Sequence, residues 1–512
     1  MNTHDDRHST MGSRPVNADE IRHDSPNGKS GARPVLSVIG LGKLGSPMAA
    51  CFSARGFRVI GVDNDPQIVS TIDAGKAPVY EPNLEETIQS GRANLSATLD
   101  LRTAVLDSRV TFIIVPTPSD EDGSFSLRYV LPVCETIGIT LREKETPHLV
   151  CLCSTVMPGA TGGAIRKSLE KSSGRRIGEN LGLCYSPEFI ALGSVIRDFL
   201  NPDFLLIGES DEASGDLLES IYRQTLENEP TFARMNFVNA EIAKIAVNSF
   251  VTTKITYANL IAGICQRTND ADVDVVTNAV GLDTRIGRKY LKGAVGFGGP
   301  CFPRDNVALA RAAQLVGAQA DLARSVDTAN RLEVNRLAQQ VTNALDDLSD
   351  RNEDGRVRTV GIFGLSYKPN TDVIEQSQGI MLAQTLVRKG CAVAVFDPAA
   401  MDSARSALGE LVHYCESLER CTQLADVLVI VTPWNEFREL VPTLSRVVDK
   451  LHTSERILID CWRMLDRKAI EAVRSVEYRP MGIGPTVEIA ADENINETPA
   501  PVLAGSNDSV GI

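Results

Sequence analysis

A glycine triplet lodged between a strand and a helix restricts what this chain can fold into more than any other feature. Gly40-Leu41-Gly42-Lys43-Leu44-Gly45 follows a β-rich apolar run at 34–40 (PVLSVIG) and opens a stretch of helical character, after which 57–63 (FRVIGVD) reads as a second strand. In that setting the glycines let the backbone turn tightly and approach a pyrophosphate, whose charge then meets the free N–H groups of a helix start. Asp63 closes the second strand about twenty residues on, where a carboxylate accepts hydrogen bonds from an adenosine ribose. No arginine follows it directly. Because Asp63 would also repel a 2′-phosphate, NAD is expected rather than NADP.

The alternation continues. Apolar runs at 110–115 (VTFIIV), 148–153 (HLVCLC) and 204–208 (FLLIG) belong with the first two, and a second set appears at 358–364, 392–396, 427–431 and 456–460. Apolar strands alternating with helices imply an α/β fold of mostly parallel sheets covered on both faces. Between the sets, from about 239 to 348, strand signals vanish and long helical patterns take over, broken by a glycine-rich loop at 293–299. The expected organisation is an NAD-binding Rossmann domain at 34–236, a central helical domain at 237–350 and a second Rossmann-like domain at 356–483. Polar, non-periodic tails at 1–33 and 484–512 are expected to be disordered. The irregular spacing of His4, His8 and His23 in the first tail gives no reason to expect a metal there.

A formal charge of −14 argues against nucleic acid or an anionic membrane as a partner, so an anionic substrate must meet local cations. Eleven cysteines lack metal-site spacing and no charged-then-apolar leader precedes them, which points to thiols in a reducing cytoplasm. No apolar run approaches the roughly 20 residues needed to span a bilayer.

One cysteine differs from the rest. In Gly296-Phe297-Gly298-Gly299-Pro300-Cys301-Phe302-Pro303-Arg304-Asp305 the glycines allow close backbone approach to a ligand, and the thiol stands where a helix begins. A helix start and nearby cations favour the thiolate that attacks carbonyls. Cys151 and Cys153, inside a strand, read as small buried side chains. Upstream, AEIAKIAVNSFVTTKITYANLIAGI reads as an amphipathic helix with Ile242, Ile245, Ala246, Phe250, Leu260 and Ile261 as its apolar stripe. Lys244 and Asn248, four apart, share another face. Spacing alone does not say whether that face is functional or merely solvated.

Taken in order, these pieces resemble the UDP-glucose/GDP-mannose dehydrogenase family over roughly 35–482. The matching motifs are GLGKLG with Asp63, VYEPNL at 79–84, VPTP at 115–118, STVMPG at 154–159, SPEF at 186–189, the AEIAKIAVN helix, GFGGPCFPRD, and GLSYKPNTD at 364–372. The resemblance implies two Rossmann-like domains joined by a long central helix, a homodimer, and a site between domains. There a sugar 6-hydroxyl is oxidised to a carboxylate by two NAD molecules in succession, through a thiohemiacetal and a thioester on Cys301. It further implies that Lys244 and Asn248 stabilise negative charge on the reacting oxygen, that Asp305 handles protons, and that Glu188 and Thr155 activate the hydrolytic water. Cofactor contacts would fall to Gly40, Gly42, Lys43, Leu44, Gly45, Asp63, Pro116, Thr117 and Thr155. Besides Lys244 and Asn248, the nucleotide sugar would meet Phe189, Arg285, Tyr290, Lys292, Phe297, Gly298 and Lys368.

Several positions depart from the family pattern. Leu192 stands where a second glutamate is common, Phe204 replaces the arginine of a PDR triplet, Glu375 occupies a frequent arginine position, and Trp462-Arg463 replaces the last two residues of DGRN. A cation near Gln67 is also missing. The GGPC sequence resembles the UDP-glucose branch, so UDP-glucose is the expected substrate, ahead of UDP-N-acetylhexosamine, UDP-galactose or GDP-mannose. The rival classes are a simpler two-electron hydroxyacid dehydrogenase, which would need neither Cys301 nor a second α/β domain, and a nucleotide-sugar-binding protein without activity.

Overall fold

In the computed structural model, residues 33–351, 357–451 and 455–486 are described; most of the two expected tails lies outside them. The first sheet has eight strands: β1 (Leu36–Ile39), β2 (Val59–Val62), β3 (Leu95–Thr98), β4 (Val110–Ile113), β5 (His148–Leu152), β6 (Leu181–Tyr185), β7 (Phe204–Glu209) and β8 (Thr231–Met235). Their spatial order is β3-β2-β1-β4-β5-β6-β7-β8. All neighbours are parallel except β6 and β7, which run antiparallel. That reversal has a consequence for the site: the connection between β6 and β7 starts and ends at one edge of the sheet, the edge where β1 delivers the glycine loop.

The second sheet is wholly parallel, with β9 (Thr359–Phe363), β10 (Ala392–Phe396), β11 (His413–Tyr414), β12 (Val427–Ile430), β13 (Arg456–Asp460) and β14 (Val476–Pro480) in the order β11-β10-β9-β12-β13-β14. In both sheets the first strand of the unit sits between its second and a later one, so the order reverses beside β1 and beside β9. Ligands of open parallel sheets bind in the crevice at such a point.

Two long helices join the sheets. Phe237–Cys265 has 29 residues and Asp321–Arg351 has 31, and the shorter helices Val273–Gly281 and Phe302–Leu315 lie between them. Asn236 starts the first of these long helices by accepting from Asn239 N. The expected apolar stripe of this helix is not its buried face. Ile245 is fully buried, but Ile242, Phe250 and Leu260 are 46%, 65% and 57% exposed, whereas Glu241, Lys244, Asn248, Ser249, Thr252 and Asn259 are buried. The helix turns a polar face inward because that face meets the cysteine loop and the segment after β6. An apolar face, Phe250, Tyr257, Leu260 and Ile264, is left outward. Among the described residues no helix is long and apolar enough to cross a membrane.

Candidate active site

The glycine loop fits a pyrophosphate. Gly40 has φ +93°, and a Cβ there would meet the backbone oxygen of Ile114 at 2.3 Å; a Cβ on Gly45 would lie 1.7 Å from the oxygen of Gly40. A Cβ on Gly42 would meet nothing, so that glycine borders open space. Helix Gly45–Ala54 has no capping side chain and no acidic residue in its first turn, which leaves its positive end available to an anion. Asp63 accepts from Leu41 N through Oδ2 (2.7 Å) and from Asp65 N through Oδ1 (3.0 Å), yet remains partly exposed.

The second sheet repeats the arrangement with a different outcome. Asp397 at the end of β10 takes the place of Asp63, and its Oδ2 accepts from Leu365 N at 2.7 Å. It also receives Ser366 N, Ser366 Oγ, Trp434 Nε1, Ala399 N and Ala400 N, and it is 1% exposed. A carboxylate so saturated has nothing left for a ribose. The open aspartate therefore belongs to the first sheet alone.

Lys43 Nζ pairs at 2.6 Å with Asp372 of the GLSYKPNTD segment, tying the glycine loop to the carboxy-terminal unit. Thr117 is buried, its hydroxyl donating to Thr155 O (2.7 Å) while its own carbonyl accepts from Arg304 (3.0 Å). The VPTP and STVMPG turns are thus joined to each other and to the cysteine loop. Glu241, fully buried on the central helix, accepts from Gly159 N and Thr161 N at 2.5 and 2.7 Å and fixes the second turn.

Cys301 is the N-cap residue of helix Phe302–Leu315, and Asp305 N bonds its carbonyl at 2.8 Å. Its residue surface is open to solvent while protein crowds the thiol. Burial and then Asp305 push the thiol above its ordinary value, outweighing Lys244 and Arg304, which pull it down. Burial thus works against the thiolate that the two cations favour. Burial also raises the Asp305 carboxyl and lowers the Lys244 ammonium, in each case ahead of the opposing attraction between them. Desolvation drives each group toward neutrality, and mutual attraction only partly offsets it.

Around the thiol the inward face of the central helix supplies the rest. Asn248 Nδ2 donates to Asp305 Oδ2 at 2.6 Å, and the buried Asp305 Oδ1 has no hydrogen-bond partner. Lys244 Nζ donates to Glu188 O at 2.5 Å and stands 4.3 Å over the Phe189 ring. Phe189 packs against Phe204, centroids 4.8 Å apart and planes tilted by 38°, so the departure at 204 puts an aromatic ring where a cation is common. Glu188 is pushed up to about 7 by burial, against the pull of Lys244 and a hydrogen bond from Tyr222 OH at 3.4 Å. Tyr222 is itself fully buried in an aromatic cluster with Phe52, Phe112 and Phe199, so the core of the first sheet reaches directly to Glu188.

The cysteine loop is pinned by two asparagines. Asn330, on helix Asp321–Arg351, accepts from Phe297 N (2.8 Å) and donates to Phe297 O (2.9 Å). Asn259, on the central helix, accepts from Ala294 N (2.8 Å) and donates to Val295 O (3.0 Å). Each amide stands in for a strand neighbour. Against the carboxy-terminal unit, Gly299 N bonds Glu375 O at 2.9 Å, and Cβ atoms on Gly298 and Gly299 would strike Gln376 O and the Tyr367 ring at 2.3 and 2.6 Å. Glu375 thus contributes its carbonyl, and its side chain is exposed.

The remaining expected ligands are placed unevenly. Phe297 and Gly298 lie in the pinned loop, Tyr290 (φ +64°) sets its ring edge-on to Phe302 at 6.4 Å, and Lys368 is partly buried near Asp198 and Glu81. Lys292 is exposed, and Arg285, 86% exposed, pairs with Asp283 rather than with the cluster. Arg463 is locked away by bidentate bonds to Asp274 (both 2.9 Å) and a bond to Gly293 O (2.7 Å), while Trp462 Nε1 donates to Val431 O. Among the described residues no group of three or more His, Cys, Asp or Glu could hold a metal.

Tyr222, Glu241, Asn259 and Asn330 were not foreseeable from periodicity. Only the AEIAKIAVN match hinted at Glu241, by placing it one turn before Lys244.

Comparison with known proteins agrees with this architecture. Family models for the UDP-glucose/GDP-mannose dehydrogenase family match in order: the NAD binding domain over 35–226, the central domain over 238–332 and the UDP binding domain over 361–467. A UDP-glucose 6-dehydrogenase of Haloferax volcanii is 34% identical over 437 residues, covering 85% of this chain and 97% of that protein. A GDP-mannose 6-dehydrogenase of Pseudomonas aeruginosa is 36% identical over 366 residues, covering 71% and 80%. The solved UDP-glucose dehydrogenase of Pyrobaculum islandicum superposes with a TM-score of 0.76 at 33% identity over 89% of this chain and 99% of that one. With its motifs, sheets and cysteine loop in this order, the chain belongs to the UDP-glucose/GDP-mannose dehydrogenase family and is an NAD-dependent oxidoreductase.

Proposed function

We propose that the protein oxidises the 6-hydroxyl of UDP-glucose to the carboxylate of UDP-glucuronate, with Cys301 holding the sugar covalently between the two oxidations. The observation that carries this reading is the convergence of Cys301, Lys244, Asn248 and Asp305, three of them buried, beside the partly buried Glu188, whose carbonyl Lys244 Nζ contacts at 2.5 Å. NAD supplies the hydride acceptor, one molecule per oxidation. Lys244 Nζ and Asn248 Nδ2 are donors fixed on one helix face and stabilise the oxygen that gains charge as the hydroxyl passes its proton to a water molecule and its hydride to NAD. Asp305 Oδ1, buried with no hydrogen bond and 3.6 Å from Arg304 Nε, takes the proton of the thiol as Cys301 Sγ adds to the aldehyde carbon, giving a thiohemiacetal. Loss of the second hydride leaves a thioester. Water, deprotonated by Glu188 and oriented by Thr155, adds to it, and collapse returns the carboxylate and the Cys301 thiol.

The exposed Phe250, Tyr257, Leu260 and Ile264 face supports a homodimer in which a second copy covers the central helix, since a contiguous apolar face on a helix marks an interface. We place the enzyme in the cytoplasm, where thiols stay reduced. The ranges 34–236, 237–350 and 356–483 are proposed as the NAD-binding, central helical and nucleotide-sugar-binding domains.

A panel of UDP-glucose, UDP-N-acetylglucosamine, UDP-galactose and GDP-mannose, assayed for NADH, tests the reading. UDP-glucose should yield two NADH per sugar, and Cys301→Ser should yield no uronate, because an alcohol there ionises far less than a thiol. One NADH per sugar would identify a two-electron dehydrogenase. Full uronate production by Cys301→Ser would remove the nucleophile.

A further inference from the structure

The VYEPNL segment matches the family, yet no step above uses it. Its Glu81 is 8% exposed, and its carboxylate bonds residues 112 and 114 positions away. Oε2 accepts from Gly193 N at 2.7 Å and Oε1 accepts from Val195 N at 2.8 Å. Those two amides belong to the connection after β6 that also carries Glu188, Phe189 and the unusual Leu192. Asp198 holds the same connection from its other side, accepting from Ala191 N (3.3 Å) and Ser194 Oγ (2.7 Å).

The carboxy-terminal unit closes on this connection. The Tyr367 phenol lies against the Leu192 backbone, and Gly193, at φ +84°, has no room for a Cβ, which would lie 2.3 Å from the oxygen of Asn370. The neighbouring Lys368 ammonium is partly buried and attracted by Asp198 and Glu81, the two carboxylates that organise the connection. Burial raises the Glu81 carboxyl, while the two backbone N–H groups and Lys368 oppose that rise. Both Glu81 oxygens are thus occupied within the first unit, and the field of Lys368 in the second reaches its charge without an ion pair between them.

We infer that Glu81 is a positioning residue for the nucleotide sugar, tying the 190–195 connection and the Lys368 ammonium into one binding surface across the two units. This rests on the proposed nucleotide-sugar site and assigns Glu81 a part in forming it. Glu81 reaches the sugar nucleotide only through Phe189, Leu192 and Lys368. Among the described residues its carboxylate makes no hydrogen bond to the glycine loop, so its loss should weaken one substrate and spare the other.

Steady-state kinetics of full-length Glu81→Gln tests this, with UDP-glucose and NAD varied separately. Glutamine keeps the size but turns an amide N–H toward one of the two backbone donors and removes the charge facing Lys368. The KM for UDP-glucose should rise about tenfold, the scale of one charge-assisted hydrogen bond, with kcat within about twofold and the KM for NAD unchanged. Tyr367→Phe, which removes the phenol oxygen beside the Leu192 backbone, should raise the same KM by a smaller factor and serves if Glu81→Gln folds poorly. Unchanged KM values in both variants would overturn the inference. A loss of Tm with both KM values rising together would make Glu81 a fold staple and overturn it equally. If the parent enzyme oxidises no nucleotide sugar, it is the proposed function that fails, whatever Glu81 does.

Discussion

Replacing Asn330 by leucine should disarm Cys301 without touching it. The Asn330 amide is 8% exposed and makes paired bonds of 2.8 and 2.9 Å with Phe297, four residues before the thiol. Leucine has nearly the same volume, so little cavity forms, but a buried N–H and a buried C=O lose their partners. Each orphaned group costs about 1–3 kcal/mol. Gln378 Nε2, 3.4 Å from Phe297 O, can take over the carbonyl in part, which brings the total to about 2–4 kcal/mol. Borne by the loop, that is roughly a 30- to 1000-fold loss in kcat/KM, since about 1.4 kcal/mol is tenfold. Asn330→Asp keeps the acceptor for Phe297 N and loses the donor, so it should fall between leucine and the parent. The assay is kcat/KM together with the rate of iodoacetamide alkylation at Cys301, read by peptide mass. Wild-type alkylation and turnover in Asn330→Leu would refute the argument that this amide holds the loop.

Glu188→Gln should let acyl-enzyme accumulate, seen in intact-protein mass spectra as an adduct of nucleotide-sugar mass that disappears when Cys301 is also replaced. With its carboxyl near pH 7, Glu188 as a base must lose its proton to act, so acyl-enzyme decay in the parent should quicken about tenfold per pH unit below about 7 and level off above it. The glutamine variant should lack that limb, and a surviving limb would assign it to another group. Asp63→Ala should weaken NAD and narrow its lead over NADP, because one change deletes a ribose acceptor and a repulsive charge; equal affinities before and after would place the ribose elsewhere.

The strands legible in the sequence are those buried on both faces, such as Val110–Ile113 and Val427–Ile430, where unbroken apolar runs leave no alternative. Those that escape are marginal. Leu95–Thr98 and Thr231–Met235 lie at the edges of the first sheet with partly exposed side chains, and Leu181–Tyr185 has a glycine in its middle. The central helix was legible, but its orientation was not, because the face turned inward is polar and the apolar one faces out. Cys301 stood out through its glycines and proline. Asn259, Asn330, Tyr222 and Glu81 act over 33 residues or more, as side chains bonded to distant backbone or to distant side chains, and no local pattern announces such pairings. The same limit hid the fate of Arg463, whose retraction onto Asp274 depends on a helix 189 residues away in sequence.

The Lys43–Asp372 tie closes over the glycine loop with side chains that are 38% and 32% exposed. Exposed ion pairs contribute about 0–1 kcal/mol and are screened by salt. On the proposed chemistry, the molecule thus carries two cargoes on very different leashes. The sugar is held by a covalent bond to sulfur, and the dinucleotide sits behind a clasp that thermal motion undoes. A spent dinucleotide can depart and a fresh one dock while the half-finished sugar stays aboard, so the order of traffic through the cleft is written into the difference between a bond and a clasp.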